Sequence, residues 1–125
     1  MEFRRKIWRM KLSISIIIRP HENPATGSLS AFPLSTEDLF RRVWLVGAES
    51  IHASWIPLFQ IGIDLDVADI PFVCLELNQL LAWLKRQEII CASEKNFVAH
   101  RISGALNELQ SVLNSRKGYI SVFIG

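Results

Sequence analysis

Three aspartates, Asp64, Asp66 and Asp69, fall close together as D-x-D-x-x-D. A turn that gathers carboxylates in this way is where a divalent cation finds oxygen ligands. This one lacks the glycine and the distal bidentate glutamate of a calcium loop, and Asp69 stands just before Ile70-Pro71, where a helix needs a cap. The expected role is a solvated turn and helix start, with no metal site. A second group is Glu49-Ser50-Ile51-His52, which places a carboxylate, a hydroxyl and an imidazole in one short connection. Those are the groups of an acyl-transfer triad, but a triad is defined by geometry, and three polar residues in one connection read first as a turn.

The remaining reactive side chains are dispersed. His21 and His100 belong to no motif, and His100 precedes Arg101 on an expected outward helix face. Cys74 and Cys91 form no C-x-x-C pair and have no basic neighbour to lower a thiol pKa, so reduced thiols of a cytoplasmic protein are expected, with Cys74, in an apolar helix beside Val73, buried and inert. The glycines, at 27, 47, 62, 104, 118 and 125, make no phosphate-binding loop. No catalytic, metal or cofactor residue is assigned, and no cofactor is expected. The aromatic residues Trp44, Trp55, Phe59 and Trp83 read first as core, because tryptophan buries a large area. Exposed tryptophans are also favoured interface anchors. Trp44 and Trp55, with Asp64 and Asp66, are therefore the candidate partner-binding residues.

Half of the 125 residues are apolar, enough to offset the entropy of ordering one domain. The formal charge of +2 is uneven: residues 1–19 carry a net +5 and residues 20–125 a net −3. The body has no basic stripe with interleaved aromatics, so nucleic acid is not an expected partner. The basic start followed by Leu12 to Ile18 mimics a secretory leader, but the apolar run is short, contains Ser13 and Ser15, and ends at Arg19-Pro20. No stretch reads as a membrane span. Residues 1–9 are expected to be dispensable, with Met10 an alternative start.

These groups must be positioned by regular elements. Leu12, Ile14, Ile16 and Ile18 alternate with Ser13, Ser15 and Arg19, with Ile17 the exception, a strand buried on one face. Pro20 to Pro33 reads as a loop with a short extended piece at Ser28 to Leu34. Ser35 begins a turn of helix. Residues 36–46 stay between helix and strand, and the reading adopted is a short helix followed by a strand from about Val43. Trp55 to Leu65 reads as a strand. Asp69 and Pro71 open a helix with Val73, Leu77, Leu80, Leu81 and Leu84 inward. Ser93 caps a second helix with Val98, Ile102, Leu106, Leu109 and Leu113 inward, ending at Arg116-Lys117-Gly118. Tyr119 to Ile124 is a final strand. The expected fold is one α+β domain, an antiparallel sheet of about four strands with two main helices packed on one face.

The stretch GIDLDVADIPFVCLELNQLLAWL, Gly62 to Leu84, with the closing GYISVFIG, resembles small bacterial immunity proteins of polymorphic toxin and contact-dependent growth inhibition systems. The resemblance covers residues 55–125 as a strand, an acidic turn, a proline-started leucine-rich helix and a short last strand. It implies a non-enzymatic cytoplasmic protein that binds and neutralises one toxin domain. The rival reading is a small enzyme or ligand-binding protein using Glu49–His52 or the Asp64/Asp66/Asp69 turn. A third is a homodimeric structural subunit that buries Trp44 or Trp55.

Overall fold

The structure, a computed structural model, describes residues 13–20, 30–115 and 120–125. The alternation of the first strand is realised in β1 (Ser13–Pro20), where Ile14 and Ile16 are fully buried and Ser13 and Arg19 exposed. β1 pairs antiparallel with β2 (Ser30–Thr36) on one side and β4 (Ile120–Ile124) on the other, and β4 pairs with the short β3 (Ile63–Leu65). The order β2-β1-β4-β3 puts the first and last strands at the centre. Reciprocal bonds between Ser15 and Gly125, at 3.0 and 3.1 Å, extend that central pairing. Pro33 sits on the edge strand β2, where a missing N–H removes no inner ladder bond, and the register slips beside it between Ile14 and Ser15.

Between β2 and β3 the chain is helical, and here two expectations are corrected. The segment from Val43 is not a strand. α1 (Glu37–Leu39) runs into a π-turn (Phe40–Trp44) and then α2 (Leu45–Ser50). Its buried residues come as pairs, Leu39 with Phe40, Val43 with Trp44, and Gly47 with Ala48. A repeat of four drifts by about 40° per step around an ideal α-helix. The wider π-turn, closed by Leu45 N–H on the Phe40 carbonyl, holds all three pairs inward. The β-rich composition of Val43 to Val46 yields to that packing. The helix cap is Thr36, whose Oγ1 accepts from Leu39 N–H at 3.2 Å, while Ser35 turns inward.

Residues 55–60 are likewise no strand. Ile56–Gln60 is a 3-10 helix with Pro57 in its first turn, and only Ile63–Leu65 is extended. Gly62 joins them at φ 97°, a left-handed conformation suited to glycine, and a Cβ there would lie 2.8 Å from the Phe123 ring.

A 3-10 turn (Val67–Asp69) leads into α3 (Ile70–Lys85), with Pro71 in its first turn as expected. α4 (Ala92–Asn114) packs along α3 and over β2. One core joins Ile14, Ile16, Leu34, Leu65, Val122 and Ile124 of the sheet to the inner faces of both helices. α2 crosses α3 closely at Gly47, where a Cβ would fall 2.6 Å from Trp83 Cε3. Arg42 ties the π-turn to α4 by bonds of 2.8 and 3.3 Å to Glu94, and its Nε donates to Asp38 at 2.9 Å. The arginine holds the Glu94 carboxyl below its ordinary pKa. At the other end of the contact, Arg101 lies over the rings of both Phe97 and Phe32 and donates to the Pro33 carbonyl at 3.2 Å, pinning the edge strand to α4.

The fold is thus α+β, a four-stranded antiparallel sheet with its helices on one face. Trp8 and the leading residues 1–9, His21 and Arg116-Lys117-Gly118 lie outside the described residues; α4 itself ends at Asn114 with Ser115 extended, short of the stop expected at Arg116-Lys117-Gly118. The inward set of α4 differs from expectation: Ala105 and Val112 are buried, whereas Leu106 and Leu113 are half-buried at its flank. Leu80→Ala, at a site 1% exposed, should lose about 2–5 kcal/mol in urea unfolding. Leu106→Ala should lose only about 1–2 kcal/mol, because water already reaches that side chain. Equal losses would mean that α4 is rotated from the orientation described.

Candidate functional site

Glu76 sits halfway along α3 and turns its carboxylate to the N-terminal end of the 3-10 helix (Ile56–Gln60). It accepts from the backbone N–H groups of Ser54 at 2.8 Å, Trp55 at 2.9 Å and Ile56 at 3.1 Å. Those amides have no partner within a helix at its start, and an anion suits them. The clamp fixes Trp55 half-buried against the core and starts the 3-10 helix that delivers the chain to β3. Sequence inspection missed it, since a carboxylate serving amides twenty residues upstream leaves no local signature.

Beyond the 3-10 helix the chain passes through an exposed acidic and apolar segment. Ile61 is 81% and Val67 48% exposed, and between them Asp64 and Asp66 point outward on either side of the buried Leu65. Asp64 lies on the helix-free side of the sheet, in register with Phe123. β3 is an edge strand, paired only through β4. Asp69 folds back so that its Oδ2 accepts from Asp66 N–H at 3.1 Å, starting the helical run. The turn is therefore a helix-start device, and among the described residues no three His, Cys, Asp or Glu side chains converge as a metal-ligating set.

Of the four candidate partner-binding residues, Asp64 and Asp66 come together on this edge, and Trp55 stands half-buried at the far end of the same 3-10 helix. Trp44 does not join them. It is fully buried, stacked on Phe40 with centroids 5.7 Å apart, and Phe40 in turn meets Phe59 at 6.4 Å. An anchor role for Trp44 is excluded, as is a homodimer that buries it, because its inward π-turn position already gives it to the core. Its Nε1–H finds no acceptor among the described residues.

Glu49, Ser50 and His52 are all exposed, but they form a helix ending and not a triad. His52 N–H donates to the Glu49 carbonyl at 3.2 Å and Ala53 N–H to the Ala48 carbonyl at 2.8 Å. With His52 at φ 57°, this is a Schellman termination in which histidine occupies the position that glycine favours. The termination itself accounts for the unusual backbone angle, so the angle gives no ground for a catalytic role.

Cys74 is half-buried, and burial pushes its thiol pKa up. Cys91 departs from expectation. It is exposed at the N-cap of α4, and a hydrogen bond with the Ser93 hydroxyl, 3.4 Å away, and then the Glu94 amide lower its pKa without any basic neighbour. The legible signal was spacing: Cys91, not Ser93, stands three residues before Glu94 at the helix start. His100 is exposed on α4. Compared with family models, curated proteins and solved structures, the chain matches none.

Two measurements check this local structure. Glu76→Ala should lose about 1.5–3 kcal/mol in urea unfolding, the range for hydrogen bonds to a charged group, with Glu76→Gln in between. A wild-type midpoint for the alanine variant would show the clamp to be idle. His52→Gly should raise stability by about 0.5–1 kcal/mol, because relief of the left-handed strain exceeds the added flexibility of the unfolded chain. A lowered melting temperature would mean that the imidazole makes contacts worth more than that strain.

Proposed function

We propose that this chain is a non-enzymatic protein-binding module of the immunity-protein kind, acting in the bacterial cytoplasm by binding and covering a toxin domain. The observation that carries the reading is the β3 edge. Ile61 and Val67, both strongly exposed, bracket Asp64 and Asp66 on a segment anchored through the Glu76 clamp on one side and α3 on the other. Apolar side chains with carboxylates between them, on a rigid scaffold, suit a partner surface that is basic around an apolar centre. A nuclease face that holds nucleic acid is basic.

Two further features support the reading. The order of β3, an acidic turn, a proline-started helix and a closing strand is the arrangement that the resemblance of residues 55–125 implies. Of the two places that the enzyme reading could use, the backbone of the Glu49–His52 connection forms a helix termination and the Asp64/Asp66/Asp69 turn forms a helix start. Complementary charge speeds encounter and discriminates among partners, so the acidic pair is assigned to specificity and the apolar pair to affinity.

The test is growth rescue together with complex formation. The chain, co-expressed with the product of the adjacent reading frame in its genome, should restore growth and co-purify with that product as a stoichiometric complex. Asp64→Arg with Asp66→Arg should abolish both, and Ile61→Ala should weaken binding by at least about 30-fold, the hot-spot threshold of 2 kcal/mol. Circular dichroism of each variant should remain that of the wild type. A toxic neighbour that neither binds nor is neutralised would overturn the reading, as would rescue that survives both charge reversals.

A further inference from the structure

The outward side of α3 carries a second surface, separate from the β3 edge. Along α3, positions 72, 75, 79 and 82 fall within one narrow stripe, and positions 68, in the preceding 3-10 turn, and 86, just past Lys85, lie beyond its two ends. Here they are Ala68, Phe72, Leu75, Gln79, Ala82 and Arg86, and every one is exposed, Phe72 at 60% and Leu75 at 55%. Large apolar side chains on the outer face of a helix whose inner face already fills the core need a partner surface.

We propose that this stripe is a homodimer interface in which two copies pack α3 against α3, antiparallel, about a twofold axis level with residue 77. The six positions are symmetric about that level, so the axis sets Ala68 against Arg86, Phe72 against Ala82 and Leu75 against Gln79 of the second copy. Each large side chain then faces a small or flexible one, which is how close-packed helices interdigitate. Charge fixes the direction. The start of the helix carries Asp69, and its end carries Lys85 and Arg86. Antiparallel packing brings each acidic end to a basic end and opposes the helix dipoles favourably, whereas parallel packing would stack Phe72 on Phe72 and like charge on like. Ile89, 99% exposed just past the helix, lies at the end where the second copy's helix begins. Contact along one 16-residue helix falls at the small end of specific interfaces, below about 1,200 Å² in total, so the dimer forms in the micromolar range and dissociates on dilution. This inference is independent of the toxin-binding reading, and no toxin enters its test.

The full chain should sediment as a dimer at high micromolar concentration and approach a monomer on dilution. Phe72→Glu and Leu75→Glu should each be monomeric throughout, with melting temperatures close to the dilute wild type, because both side chains face solvent in the monomer. Register is tested separately in a Cys74→Ala, Cys91→Ser background. An equimolar mixture of Ala68→Cys and Arg86→Cys chains should form a mixed disulfide on mild oxidation. Ala68→Cys alone should not, since its two copies would stand about 27 Å apart along the helices. A wild type that stays monomeric, a dimer that survives Phe72→Glu, or crosslinking by Ala68→Cys alone overturns the proposal. So does a monomer that co-sediments with phosphatidylglycerol vesicles, which would assign the stripe to lipid. Should the glutamate variants unfold, the mixed disulfide still decides.

Discussion

The carboxylate of Glu76 is the tie on which the arrangement of the chain's two halves rests. Three consecutive amides at the start of a helical turn would be unsatisfied without it, and unsatisfied backbone groups that lose water cost as much as lost hydrogen bonds. By holding residues 54–56 against the middle of α3, it sets where the 3-10 helix begins and therefore where Ile61 and Gly62 emerge. The edge strand β3 is only three residues long and cannot define its own register by ladder bonds. Its position follows from the clamp on one side, from β4 on the other, and from the φ of 97° at Gly62 that turns the chain beneath Phe123.

A sheet covered on one face imposes a second constraint. The helices must close over Ile14, Ile16, Leu34, Val122 and Ile124, and α4 alone cannot reach from β2 to β3, so α3 lies beside it and α2 crosses at Gly47. The π-turn belongs to this requirement. It lets one short helical segment present Phe40, Val43, Trp44 and Ala48 to the same core without drifting around its axis. Among the described residues the Trp44 Nε1–H has no acceptor, the local penalty of giving a large amphipathic ring to the core.

What was legible in the sequence follows from which forces were local. The existence of both long helices and of the two central strands could be read from their apolar periodicity, but α4 starts after Cys91 and not Ser93 and turns Ala105 and Val112 inward in place of Leu106 and Leu113. The segment after Thr36 could not, because paired apolar residues repeating every four fit neither a 3.6-residue helix nor a two-residue strand, and β-branched valines argued for the wrong one. Residues 55–60 look extended to a propensity reading, yet a carboxylate from Glu76 makes their amides a helix start. The candidate site divides in the same way. The exposure of Asp64 and Asp66 could be read from a turn composition, whereas the loss of Trp44 to the core depended on a helical phase that the sequence obscured. The lowered thiol of Cys91 has causes that a search for basic neighbours does not reach: first the Ser93 hydroxyl and then the Glu94 amide, both in the first turn of the helix that begins after it.

The apolar excess of the chain acquires a location once the core is drawn. Ile61 and Val67 flank β3, while Phe72 and Leu75 lie on the outer face of α3. The core does not need these four side chains, since Ile70, Val73, Leu77, Leu80 and Leu84 fill the inner face of the same helix. Exposed apolar groups stabilise nothing in the monomer and raise the risk of aggregation; these four lie around one helix and its entry turn, while Val46, Ile89 and Phe97 are exposed elsewhere. Charge separates the two patches. Around β3 the carboxylates stand between the apolar side chains, the pattern on which the proposed toxin-binding face rests. Along α3 the charges sit at opposite ends with opposite sign, a distribution that is self-complementary only under twofold rotation. A single helix, with its inner face committed to folding, thus has an outer face and an N-terminal approach with distinct recognition chemistry.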